Sequence, residues 1–169
     1  MQFIKYCMLF FVFLIATLIG KNISQKYKFR LDELEELKNA LNIFKSKIKF
    51  TYEPIPEIFK EISLNASKNI SNIFDIAIKN MKKDNANIAW EKSVDECVTN
   101  LNKEDKQVLK TLSKLLGQTD SEGQISQIEI TQNFIDVQIK NAQEEKQKNE
   151  KLYSRLGTTI GLAIVIILF

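Results

Sequence analysis

Apolar residues follow two patterns in this chain, unbroken runs at both ends and a helical repeat between them. Residues 6–20 and 156–169 contain no charged side chain, and all charged residues except Lys5 lie between them. At about 1.5 Å per helical residue each run spans about 21 Å, so a few flanking residues must complete a hydrocarbon core of ~30 Å. We therefore predict transmembrane helices at residues 1–22 and 156–169.

Between these runs, apolar residues recur at spacings of three and four, which is typical of amphipathic helices. The first such stripe consists of Leu34, Leu37, Leu41, Phe44 and Ile48. The strong helix breakers of this region are Pro54, Pro56, Gly117 and Gly123. The pattern predicts an all-α fold, a bundle of about six helices within residues 23–142.

The breakers and capping residues set the predicted helix boundaries. The first helix should run from about residue 24 to residue 50, because Pro54 and Pro56 remove backbone donors beyond it. Asn102 should cap a later helix, and Gly117 should end it in the left-handed conformation. The helix before Asn102 should bury Ala89, Trp90, Val94, Cys97, Val98 and Leu101.

A last helix should begin near residues 121–124 and continue into the second span. Its buried side should include Ile125, Ile128, Phe134, Ile135 and Ala142. Residues 143–155 are polar on all sides, which favours a solvated helical stalk held by charge pairs. The predicted domains are thus the first span, the bundle at residues 23–142, the stalk and the second span.

Basic residues lie on the bundle side of both spans. Four follow the first run closely and four precede the second: Lys21, Lys26, Lys28, Arg30, Lys146, Lys148, Lys151 and Arg155. Because Lys and Arg near a span stay on the cytoplasmic side, we expect a two-pass protein with a cytoplasmic bundle and both termini outside. A cleavable signal peptide is the rival interpretation of the first run. The absence of a small-x-small site before Lys21 favours an uncleaved anchor.

The residue types present exclude most enzymatic chemistry. The chain has no histidine, no glycine-rich phosphate loop, and a cysteine, Cys97, that falls on an apolar stripe. Cys7 lies within the first run, so a disulfide between the two is implausible. The central region has 23 basic and 21 acidic residues, too balanced for a nucleic-acid-binding field. We expect no catalytic residues, no metal and no cofactor.

Two motifs stand out as candidate contact sites. Gly157 and Gly161 form a G-x-x-x-G at the start of the second span, which permits close approach of another helix in lipid, from the first span or from another protein. The second is the polar turn of residues 115–124, which as local structure is a helix C-cap followed by an N-cap. Its candidate partner-binding residues are Gln118, Asp120, Glu122 and Gln124, and the acidic stretch with Asp32, Glu33 and Glu36 is a second candidate surface.

Several short stretches, in order and between the two spans, resemble the stage III sporulation protein AB family. They are the Leu34/Leu37/Leu41 helix leading to Pro54-Ile55-Pro56, Ala89-Trp90, Leu116-Gly117-Gln118-Thr119-Asp120 with Gln124, and Lys151 to Gly157 running into Gly161. The family's bundle is in turn similar to the cytoplasmic domain of the type II secretion platform protein F. The resemblance covers most of the chain.

The resemblance implies a component of the secretion channel that endospore formers assemble between mother cell and forespore, located in the mother-cell membrane. Its implied partners are a cytoplasmic hexameric secretion-type ATPase, similar to stage III sporulation protein AA, and other stage III sporulation membrane channel proteins. We therefore expect a non-enzymatic platform that couples the ATPase to membrane partners. The alternative is a self-associating scaffold without an ATPase partner, in which the Leu34 to Ile48 stripe forms an intermolecular coiled coil. An enzyme is the third and weakest interpretation.

Overall fold

The structure, a computed structural model, describes the backbone of residues 2–168 and the side chains of residues 6, 8–153 and 155–167. Within that part the chain is helical, without strands. Its helices are α1 (Gln2–Phe50), α2 (Ile55–Asn65), α3 (Lys68–Asn80), α4 (Ala86–Glu96), α5 (Lys103–Lys110), a 3-10 turn (Thr111–Lys114) and α6 (Ser121–Leu168). The all-α prediction is confirmed.

The chain divides into two compact units. One, the bundle unit, extends from Asp32 to Lys140, and the other, the terminal unit, consists of the chain on either side of it. The helices α1 and α6 each contribute residues to both units. The predicted first helix therefore does not begin near Ser24, because α1 continues without a break from the N-terminal apolar run.

The core of the bundle unit is built on the predicted α1 stripe and a group of aromatic rings. Leu37, Leu41 and Phe44 are completely buried. The Phe59 ring lies at the centre of the group, with ring centroids at 5.1 Å from Phe44 and Phe74 and 5.5 Å from Trp90. Trp90 also donates its indole N–H to the Leu109 carbonyl oxygen over 2.8 Å, so its polar atom is satisfied inside the core. These contacts join α1 to α5 around one interior.

The predicted caps explain where the short helices begin and end. Asn102 accepts the backbone N–H of Asp105 at 2.8 Å, and the Asp105 carboxylate accepts the backbone N–H of Asn102 at 2.9 Å. This reciprocal capping box starts α5, and such a cap contributes about 1 kcal/mol. Gly117 adopts a left-handed φ of 70°, and Pro56 lies in the first turn of α2. The Asn102 cap and the left-handed conformation of Gly117 are confirmed, but the helix that Gly117 was predicted to end stops at Lys110 and is followed by the 3-10 turn.

Two residues predicted to be buried are exposed. Val98 is 84% exposed, because α4 ends at Glu96 and the helical face cannot be extended beyond it. Phe134 is 48% exposed on α6, whereas Ile128 and Ile135 are completely buried. Cys97 is buried as predicted, although it follows the helix rather than belonging to it.

In the terminal unit, the polar part of α6 packs against α1. The Tyr27 and Tyr153 rings are stacked with centroids 5.9 Å apart, and the Arg30 guanidinium contacts the Glu145 carboxylate at 2.7 Å. The Arg30 side chain is only 7% exposed in this pair. Residues 143–153 are nonetheless all exposed or half-buried, so the solvated stalk held by charge pairs stays a prediction, with α1 against one side of the segment.

By length and composition, one stretch of the described chain could cross a membrane, the part of α1 that begins at Met8. Only 17% of its most apolar window is buried within the protein. Large apolar side chains such as Phe10, Phe11 and Leu18 point outward and are 60% exposed or more. A core helix of a water-soluble domain would bury such residues.

Candidate functional site

The acidic stretch of α1 is partly internal. Glu33 is only 5% exposed, and its carboxylate accepts hydrogen bonds from the Asn69 side chain at 2.7 Å and from the backbone and side-chain amides of Asn100 at 2.8 and 2.6 Å. Its burial leaves it no surface for a partner, so the expectation that Glu33 binds one is corrected. Its geometry makes it a structural residue that fixes α3 and the segment between α4 and α5 against α1.

Glu36 has a similar internal role at a more accessible position. Its carboxylate accepts the backbone N–H and, at 2.6 Å, the hydroxyl of Ser67, the residue that precedes α3. Asp32 is exposed. Within the acidic stretch of α1, the Asp32 carboxylate differs from those of Glu33 and Glu36 in having no hydrogen bond or ion pair to a described residue.

The polar turn between the 3-10 helix and α6 is ordered by its own side chains. Asp120 accepts the backbone N–H of Gly123 at 2.9 Å and so caps α6, and the Gln124 amide donates to the Thr119 carbonyl oxygen at 3.2 Å. The side-chain oxygen of Gln124 is buried without a partner among the described residues. Gln118 and Glu122 are exposed. Asp120 and Gln124 thus shape the turn, while Gln118 and Glu122 are free to contact a partner.

This turn lies against the start of α2 and α4. A methyl group placed on the Gly117 Cα would come within 3.1 Å of the Ala86 Cβ and 3.6 Å of the Ile55 Cδ1. Ile55 is the first residue of α2, directly after the segment that leaves α1. The turn and that segment therefore share one end of the bundle unit.

Two exposed aromatic residues at this end are features that the sequence patterns did not single out. Phe50, the last residue of α1, is 72% exposed, and Tyr52 is 77% exposed. Tyr52 also has a φ of 54°, a left-handed conformation that is rare and unfavourable for a bulky side chain. The sequence did contain a signal for this feature, an aromatic pair that lies outside the helical stripe and just before a proline pair. We call residues 50–54 with residues 117–124 the aromatic end.

Neither a metal-binding cluster nor an activated thiol is found among the described residues. They contain no group of three His, Cys, Asp or Glu side chains that could hold a metal ion. Burial raises the pKa of the Cys97 thiol, which keeps it protonated and unreactive. The Cys7 side chain lies outside the described part of the structure.

Gly157 and Gly161, the glycines of the predicted second span, contact α1 of the same chain. A methyl group on Gly157 would lie 2.8 Å from the Gly20 Cα, and one on Gly161 would lie 3.2 Å from the Ala16 Cβ. Ala16 and Gly20 thus form a second small-x-x-x-small motif facing the first. The same spacing of four was visible in the sequence at Ala16 and Gly20, but the prediction named only Gly157 and Gly161.

Comparisons with known proteins agree on one family. The family model described as stage III sporulation protein AB matches residues 5–169. A solved structure of a stage III sporulation protein AB has the same fold, with a TM-score of 0.63 at 22% sequence identity, over 70% of this chain and 96% of that chain. A comparison with curated proteins finds no match. The family match extends over nearly the whole chain, and the chain therefore belongs to the stage III sporulation protein AB family.

Proposed function

We propose that this protein is a membrane-anchored, non-enzymatic platform of the channel that connects mother cell and forespore. In this proposal both apolar ends cross the mother-cell membrane, the bundle unit lies in the cytoplasm, and both termini face outward. Family membership supports the role in sporulation. The outward-facing apolar side chains of α1 and the basic residues beside both runs support the anchoring and its orientation.

The platform docks a cytoplasmic hexameric secretion-type ATPase and passes its conformational work to other stage III sporulation membrane proteins. This partner class is what the family's likeness to the type II secretion platform protein F implies. The bundle unit suits a docking role because its core is a packed group of aromatic rings and because it exposes Phe50 and Tyr52 on its surface.

The observation that carries the docking site is the exposure of Phe50 and Tyr52 beside the polar turn. Aromatic side chains dominate the binding energy of protein interfaces, and they act best at the centre of a polar rim. Gln118 and Glu122 are the exposed polar candidates of the turn at the same end of the bundle unit. Tyr52 is exposed and has a left-handed backbone conformation, which is unfavourable by about 1–2 kcal/mol.

The rival coiled-coil scaffold needs the α1 stripe at a seam between chains. Leu34, Leu37 and Leu41 are at most 1% exposed within a single chain. A seam formed by these residues would have to open the bundle core, so the structure favours the platform over the scaffold.

Binding of the full-length protein in detergent to the purified ATPase tests the docking site. The test variant combines Phe50→Ser with Tyr52→Asn, because asparagine tolerates the left-handed conformation. The control combines Leu64→Ser with Val98→Ser, which removes two apolar side chains that are equally exposed elsewhere on the bundle unit. We expect the test variant to bind about tenfold or more weakly and the control to bind normally. Equal affinity of the test variant and the unmodified protein would refute docking at the aromatic end.

A further inference from the structure

A band of unpaired basic residues borders the apolar segments in the terminal unit. It comes after the first segment and before the second. Residues 21–28 and 148–155 contain six basic residues and one acidic residue, Glu150. The basic residues, which we call the basic band, are Lys21, Lys26, Lys28, Lys148, Lys151 and Arg155. All six are exposed, and none forms an ion pair with a described residue.

The positive charge of the band is confined to this part of the chain. Residues 32–140 contain 15 basic and 18 acidic residues, so the bundle unit has the opposite sign. The band occupies eight residues of each helix, about 11 Å along the axis, which is comparable to the headgroup layer of a membrane. Tyr27 and Tyr153 stack within it, where aromatic residues are enriched in membrane proteins. The band therefore has the charge and the depth of a headgroup-binding surface.

An apolar groove leads from the transmembrane segments into this band. It has a volume of about 410 Å³. Its lining is Ala16, Ile19, Gly20, Ile23, Tyr153, Leu156, Gly157, Ile160 and Ile164. Along α6 it extends from Ile164 to Tyr153, and Lys26 lies one helical turn beyond Ile23 at the other wall. One end of the groove is thus in the apolar segment and the other is in the basic band.

The shape of the groove matches a hydrocarbon chain. Along α6 it extends over the eleven residue steps from Tyr153 to Ile164, about 16 Å. The two helices that line it are already in backbone contact at Gly20 and Gly157. An extended acyl chain, which is narrow and apolar, therefore suits the groove.

We propose that the terminal unit binds an anionic phospholipid, with an acyl chain in the groove and the phosphate among the side chains of the basic band. This inference rests on the membrane-spanning arrangement of the proposed function. A zwitterionic lipid of the same chain length can fill the groove, but its added positive charge repels the band. Selectivity for negative headgroups is therefore the signature of the site.

Native mass spectrometry of the full-length protein, with phosphatidylglycerol or phosphatidylcholine of matched acyl chains added in detergent, tests the site. The charge variant is Lys21→Gln with Lys26→Gln and Arg155→Gln. Its control removes three exposed charges from the bundle unit, as Lys82→Gln with Lys83→Gln and Lys103→Gln. The groove variant is Ile160→Trp, and its control is Leu162→Trp, an exposed apolar position outside the groove.

We expect one tightly retained phosphatidylglycerol on the unmodified protein and on both controls. The charge variant should lose about a hundredfold in affinity, and the groove variant should lose tight retention. Equal retention of both lipids, or normal retention by either test variant, would overturn the proposal. Insertion of the unmodified protein into phosphatidylcholine vesicles distinguishes a failure of the proposed function from a failure of the lipid-binding inference. Failure to insert would contradict the proposed function, whereas insertion without lipid selectivity would contradict only this inference.

Discussion

Gly20 and Gly157 bring the backbones of α1 and α6 into direct contact in the terminal unit. A methyl group on the Cα of either residue would lie within 2.8 Å of the other Cα, closer than side-chain carbons pack. Because this obstacle is backbone, it cannot be relieved by a side-chain rotation. The two helices can therefore adopt this contact only if both positions lack a side chain.

Gly157→Ala should consequently separate α1 from α6 in this unit. We expect a loss of about 1–3 kcal/mol in the stability of the full-length protein, the usual effect of overpacking. Thermal unfolding in detergent measures it. Gly161→Ala is the matched comparison, because its closest neighbour is the Phe13 ring at 3.1 Å, which can move. A smaller effect of Gly157→Ala than of Gly161→Ala would contradict the backbone contact.

Glu33→Ala should destabilise the bundle unit, although a surface glutamate would tolerate this change. The substitution leaves the amides of Asn69 and Asn100 without their acceptor, and hydrogen bonds to a charged group of this kind contribute about 3 kcal/mol when buried. Urea unfolding followed by the fluorescence of Trp90, the single tryptophan, reports on this unit. The exposed neighbour Glu35→Ala should change stability by less than about 0.5 kcal/mol.

Leu37→Asp distinguishes the platform from the coiled-coil scaffold. Leu37 is completely buried within the bundle unit, so a charge at this position should unfold it and shift the Trp90 emission to longer wavelength. Asn39→Asp introduces the same charge at an exposed position and should leave the emission unchanged. The scaffold predicts instead a folded monomer for Leu37→Asp, with native emission and a loss of self-association in sedimentation.

The Cys97 thiol should react slowly with thiol reagents in the folded protein. Burial raises its pKa, so at mildly alkaline pH the folded state holds less thiolate than the unfolded chain. The stability that this group contributes is therefore complete below the pKa of the unfolded thiol and falls as the pH rises through the folded value. Labelling of a Cys7→Ser variant should be at least about tenfold faster in denaturant. Equal rates with and without denaturant would show that the thiol is accessible.

The helical architecture could be predicted because local signals determined it. The spacing of the α1 stripe, the Asn102 cap and the left-handed Gly117 each depend on a few neighbouring residues. The same reasoning gave a wrong prediction for Val98, because it extended the apolar face of α4 past the end of that helix.

The contact surfaces depend on residues distant in the sequence and were harder to predict. Glu33 belongs to a charged run that resembles a solvated face, and only Asn69 and Asn100 make it internal. Ala16 and Gly20 can be recognised as a helix-contact motif only when the fold places them opposite Gly157 and Gly161. The exposure of Phe50 and Tyr52 was not predictable from composition, because aromatic residues are more often buried.

The most direct test of the platform is the side of the membrane on which the bundle unit lies, because only a cytoplasmic bundle can meet a cytoplasmic ATPase. Asn85→Cys provides a probe in a background of Cys7→Ser and Cys97→Ala, since Asn85 is exposed and makes no side-chain cap hydrogen bond. A membrane-impermeant thiol reagent is applied to cells stripped of their wall, before and after lysis. The account predicts labelling only after lysis. Labelling of intact cells would place the bundle outside and contradict the proposed function.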